Sequence, residues 1–119
     1  MAADSEIVDW ASANAQRLLA PLGDRWRHVA AVGRTAERVA HILPEPERPV
    51  LVAAYLHDIG YAPELRHRGA HQLDGAAWVA SHGPPYRRLA CLVAHHSESR
   101  FELARIGLIE ELDRYPREE

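Results

Sequence analysis

Apolar residues return along this chain every three or four positions, the spacing that gathers them on one face of an α-helix. Residues 4 to 20 carry Ile7, Val8, Ala11, Ala15, Leu18 and Leu19 in that register, and Pro21 stops the run. A second helix is predicted over about 24 to 43, with Trp26, Val29, Val32, Ala36, Val39 and Leu43 on its apolar side. PEPERP, at 44 to 49, then reads as a proline-punctuated turn. The third helix, about 49 to 58, is apolar almost all round, which predicts the most buried position in the fold, with Gly60 ending it.

Residues 60 to 70 read as a polar loop, followed by a helix from about 71 to 82. HGPPY makes the next turn, and a helix starts at Pro84 or Pro85 and runs to His95 or His96. A last helical stretch covers roughly 98 to 115, broken at Gly107. No period-2 alternation of useful length occurs, so no sheet is expected. The prediction is a single all-α domain over residues 1–119, a compact bundle of about five to seven helices.

Composition narrows the function classes. A chain of 119 residues, 47% apolar and 26% charged, can bury a core without staples. Its formal charge of -3 supplies neither a field for nucleic acid nor a polybasic patch for membranes. MAADSEIVDW lacks the basic and apolar regions of a signal peptide. Cys91 is the one cysteine, which rules out an internal disulfide and thiolate metal clusters and suits a cytoplasmic setting. It reads as a small buried residue.

Eight histidines stand out: His28, His41, His57, His67, His71, His82, His95 and His96. Without cysteine, such a chain points to imidazole and carboxylate metal sites or to acid-base chemistry. His57 and Asp58 end the most apolar helix, where an imidazole and a carboxylate are costly to bury unless paired or bound to metal. His28 shares a helix face with Val32, Thr35 and Val39, so it points inward. His71 opens the fourth helix and His95 closes the fifth. The five residues His28, His57, Asp58, His71 and His95 make a nitrogen-rich set with one carboxylate able to bridge two divalent ions. Two such ions, about 3.5 to 4 Å apart, suit phosphate displacement. His41, His67 and His82 read as surface residues, and Trp10, Trp26 and Trp78 as core.

RWRHVAAVGRTAERVA, followed by AAYLHDIGYAPEL, resembles the HD-domain superfamily of metal-dependent phosphohydrolases. HQLDGAAWV and LVAHHSESRFEL are similar to the two further histidine motifs of its binuclear members. The resemblance covers residues 25 to about 112. It implies that His28, His57 and Asp58 hold one ion and that Asp58, His71 and His95 hold the second. Of His95 and His96, one reads as a ligand and the other as an ordinary helix-end residue. The resemblance favours His95 as the ligand. It makes His96 a residue that supports the ligands or faces the phosphate, and gives Asp58 and His96 as the catalytic pair. Manganese or iron is the expected metal, with magnesium, nickel, cobalt or zinc as alternatives. The family pattern also carries an aspartate beyond the double histidine. Here the late aspartate is Asp113, which reads with Glu110, Glu111 and Arg114 as a solvated face, so water or a neighbouring chain's group is expected to complete the first site.

The expected partner is a small phosphorylated molecule or nucleotide, held by Tyr61, Arg66, Arg68 and Arg100 around the cleft. Neither nucleic acid nor membrane is expected as a main partner, and a homodimer is compatible with the sequence. Two other functions stay open at this point. The same ligand set could hold two irons and oxidise a small substrate, such as a phosphonate or polyol, with O₂. The chain could also bind metal or nucleotide without turnover.

Overall fold

A computed structural model describes residues 4–39, 42, 48–96 and 99–116. The element order is α1 (Asp4–Leu19), α2 (Asp24–Val39), α3 (Arg48–Leu56), α4 (His71–Ala80), α5 (Arg87–Ala94), α6 (Ser99–Arg105) and α7 (Ile109–Leu112). No strand occurs among the described residues. The all-α bundle predicted from periodicity is the fold. His41, Leu43 and the proline turn at 44 to 47 lie outside the described residues.

The apolar stripes meet in the core, except at the end of α2, where Val39 is 40% exposed. Ala11, Ala15, Leu18 and Leu19 of α1 are buried, as is Val29 of α2. α3 packs against α1, α2 and α5, and Val52, Ala53, Tyr55 and Leu56 are all buried. It is the central helix, as its unbroken apolar run predicts. Leu103 of α6 and Leu112 of α7 close the core with no exposed surface. The break between α6 and α7 falls at Gly107, whose φ of 78° is a left-handed conformation that suits glycine.

Two glycines set the approach of neighbouring elements. Gly33 lies against the ring of Tyr55, where a β-carbon would overlap the aromatic carbons. Gly60 lies against the backbone of His71, where a β-carbon would overlap the carbonyl group. Gly60 is not a left-handed helix cap as its position after the apolar run suggested, because its φ is not positive. α3 instead ends at Leu56, and the chain passes through His57 and Asp58 into a short 3₁₀ turn, Ile59–Tyr61. The missing side chain at residue 60 lets that turn press on the start of α4.

The loop before α4 is built around a buried carboxylate. Asp74, 4% exposed, accepts hydrogen bonds from the backbone N–H groups of His67, Arg68 and Gly69, at 3.1, 2.8 and 3.2 Å. Three donors fold the 67–69 segment back over α4 and so fix the approach to His71.

Candidate metal centre

The Asp58 carboxylate is 5% exposed and divides its two oxygens between two groups of imidazoles. Oδ1 lies 3.5 Å from His71 Nε2 and 3.6 Å from His96 Nε2. Those two nitrogens are 3.2 Å apart. Oδ2 lies 3.3 Å from His57 Nε2 and 3.5 Å from Arg25 Nη1. His28 is exposed, and so are Thr35 and Val39 on its helix face, so it does not point into the core as that face suggested. It still joins His57 and Asp58, with candidate ligand atoms all within 4.8 Å of one another.

Local structure aims each ring. His57 and His96 both stand one or two residues beyond a helix end, and each uses Nδ1 to reach the carbonyl three residues earlier. These contacts, His57 Nδ1 to Ala54 O and His96 Nδ1 to Val93 O, are both 2.6 Å. A ring that donates Nδ1–H to a carbonyl presents an unprotonated Nε2 lone pair, the usual arrangement behind a metal-ligating histidine. His71 is held by the turn that Gly60 permits, and the Tyr61 ring stacks on it at 4.0 Å and 12°. The Arg25 guanidinium lies 3.9 Å from the centre of the same Tyr61 ring.

The donor set fits a divalent ion. Two ligands about 2.1 Å from a tetrahedral ion are about 3.4 Å apart. The triangle of Asp58 Oδ1, His71 Nε2 and His96 Nε2 has edges of 3.2 to 3.6 Å. Imidazole nitrogen and carboxylate oxygen are ligands that manganese, iron, nickel, cobalt and zinc all accept.

Electrostatics prepare the same groups. Burial pushes the Asp58 carboxyl up, but the hydrogen bond from His57 and the charges of His57, His71 and His96 outweigh it and hold the pKa at about 2. Burial and the neighbouring His96 push His71 down to about 4. Burial likewise lowers His96. Burial would lower His57 too, but the hydrogen bond and charge of Asp58 raise it. At neutral pH the centre therefore offers an ionised carboxylate with neutral His71 and His96, the protonation states that ligands require.

One sequence expectation is reversed. His95 does not turn toward Asp58: its Nε2 meets the backbone carbonyl of Tyr115, and the residue caps the end of α5. His96 takes the place foreseen for it. Adjacent residues at a helix end point in different directions, so one of the pair can face the carboxylate.

The proposed substrate arginines also divide. Arg68 pairs with Glu111 at 3.3 Å and Arg100 with Asp113 at 3.2 Å, and neither lines the cavity beside His71. Asp113 is thus an exposed ion-pair partner and not a further ligand. Tyr61 and Arg66 do line a cavity beside His71.

Sequence reasoning missed Arg25, Glu102 and Arg105. Arg25 stands three residues before His28 on one helix face, and that i, i+3 spacing was the available signal. Glu102 on α6 accepts a hydrogen bond from the side-chain amide of Gln72, and its charge acts on both His71 and His96. No motif marks it. Arg105 belongs to the same cavity wall as Glu102.

Comparison with known families matches residues 25–117 to the HD domain, a span that includes every member of the centre. No curated protein and no solved structure matches the chain.

Proposed function

The chain belongs to the HD domain family, and from that premise we propose that it is a metal-dependent phosphohydrolase acting on a small phosphorylated molecule. The observation that carries this reading is the carboxylate of Asp58, whose two oxygens face separate imidazole groups. His71, His96 and Oδ1 of Asp58 would hold one divalent ion, and His28, His57 and Oδ2 the other. Bound there, such ions supply a Lewis acid for the phosphoryl oxygens and a water acidified enough to attack near neutral pH.

The chain's own residues do the remaining work. Backbone carbonyls of Ala54 and Val93 engage Nδ1 of His57 and His96 and so aim each Nε2 at Asp58, where it would turn its lone pair to a bound ion. Tyr61 braces the ring of His71 by stacking. Arg25 carries a guanidinium at the edge of the centre, 3.5 Å from Asp58 Oδ2, and can meet phosphoryl oxygens with parallel donors. Burial of Asp58 keeps bulk water from screening these charges.

The test is metal content after purification, with phosphate release from a panel of monoesters, diesters and nucleotides. Asp58→Ala is expected to lose both metal and activity. Full activity in that variant would sink the mechanism, and substrate-dependent oxygen uptake without phosphate release would replace hydrolysis by oxidation on the same ligands.

A further inference from the structure

Beside the metal centre lies a cavity of about 550 Å³, a size that suits a small-molecule ligand. Tyr61 and His71 form part of its wall, together with Gln72, Glu102, Arg66 and Arg105. The space is therefore continuous with one ligand of the centre and carries two guanidiniums of its own.

Among the described residues, five arginines of the fold are engaged by carboxylates, and others that are not, such as Arg38 and Arg87, lie outside this cavity. Arg17 meets Glu64, Arg25 meets Asp58, Arg27 meets Asp24, Arg68 meets Glu111 and Arg100 meets Asp113. Arg66 and Arg105 have no carboxylate partner among the described residues. They come from separate segments, Arg66 just after the 3₁₀ turn Pro63–Leu65 and Arg105 at the end of α6. A guanidinium presents a planar fork of donors that matches phosphate or carboxylate oxygens. Two guanidiniums from separate segments thus line one cavity, beside Glu102 and beside Asp74, whose carboxylate is already taken up by three backbone N–H groups.

Resting on the reading of the Asp58 centre as the place where a phosphoryl group is cleaved, we propose that Arg66 and Arg105 bind a second anionic group of the substrate. The substrate class is then a small molecule with two anionic groups, one at Asp58 and its histidines, the other between the two arginines. Glu102 refines the selection. Its carboxylate is held by the Gln72 amide and keeps lone pairs for a hydroxyl of the substrate.

The experiment compares two synthetic probes, pentyl phosphate and pentane-1,5-diyl bisphosphate, by calorimetry on the metal-loaded chain, with phosphate release followed in parallel. The bisphosphate is expected to bind at least about tenfold tighter than the monophosphate, the range of charge-assisted hydrogen bonds. Arg66→Gln and Arg105→Gln, both at exposed positions, should each erase most of that advantage while leaving the affinity for pentyl phosphate unchanged. Arg100→Gln, at the ion pair with Asp113, should leave both affinities as they were. Equal affinities for the two probes, or a matching loss for both in the Arg66 and Arg105 variants, would overturn the proposal. Hydrolysis of either probe without a bisphosphate advantage removes this inference and keeps the phosphohydrolase. An advantage without any hydrolysis keeps this inference and removes the phosphohydrolase. Binding of neither probe removes both.

Discussion

The α-carbon of Gly60 sits so close to the carbonyl of His71 that no β-carbon fits between them. This contact joins the turn carrying Asp58 to the first residue of α4, and it sets the spacing of two metal-ligand candidates. Gly60→Ala must therefore push the turn away from α4, because the obstacle is backbone and cannot rotate aside. The expected cost is about 2 kcal/mol or more, in the range of overpacking a rigid site. Thermal unfolding with and without divalent metal checks it. The variant should lose most of the stabilisation that metal gives the parent, and retention of that stabilisation would refute the spacing role.

The paired histidines at the end of α5 should separate cleanly. His96→Gln removes a nitrogen that faces Asp58 and is expected to weaken metal binding by about a hundredfold or more, above what loss of a supporting contact costs. His95→Gln removes a contact to the Tyr115 carbonyl and should leave metal affinity within about twofold, with a loss of about 1 kcal/mol in stability. Isothermal titration with a divalent ion decides between the two, and equal losses would contradict the geometry.

Acid should destabilise the metal-free chain in two stages. The pKa of His71 is depressed to about 4, so the unfolded chain takes up its proton first, and stability falls as pH drops from about 6.5 toward 4. His96, also depressed, acts in the same direction, while the raised His57 opposes them by adding stability below about 6.5. Asp58 is depressed to about 2, so its contribution of about 2 kcal/mol is present above pH about 4 and is lost as pH falls toward 2. Chemical denaturation across pH 2 to 8 measures both stages. Asp58→Asn should remove the lower one, and His71→Gln should flatten the upper one.

Asp74 contributes to stability without touching the centre. Asp74→Ala would leave three backbone N–H groups without their carboxylate, at a cost of about 3 kcal/mol. Urea unfolding at pH 7 gives the number. Hydrogen exchange should show faster exchange at His67, Arg68 and Gly69, while the amides in the middle of α5 keep their protection.

The helices were legible because each carries an apolar stripe that burial needs, and α3 was legible as central because it has no polar face. The His57-Asp58 pair stood out because two polar groups end that apolar run. Choice between His95 and His96 was not legible, since both sit at one helix end and their orientation depends on where Tyr115 places a carbonyl. Gly60 was misread as a helix cap because a close approach to His71 exists only in three dimensions. Arg68 and Arg100 were read as substrate contacts because sequence shows a charge but not the Glu111 or Asp113 that neutralises it. Glu102 and Arg105 escaped because α6 meets the cavity only after the bundle is assembled.

Asp74 grips its loop by the amides of His67, Arg68 and Gly69 and not by their side chains. The path of the loop is thus independent of the letters written at 67 and 68. The same grip sets the course of the flanking residue Arg66, which lines the cavity beside His71, so a change of side chain at 66 can redraw what that cavity offers while the loop keeps its course beside the histidines. The carboxylate and imidazoles of the centre and the side chain at 66 thus stand on separate supports, and a library randomised at residue 66 is the natural place to change the second without disturbing the first.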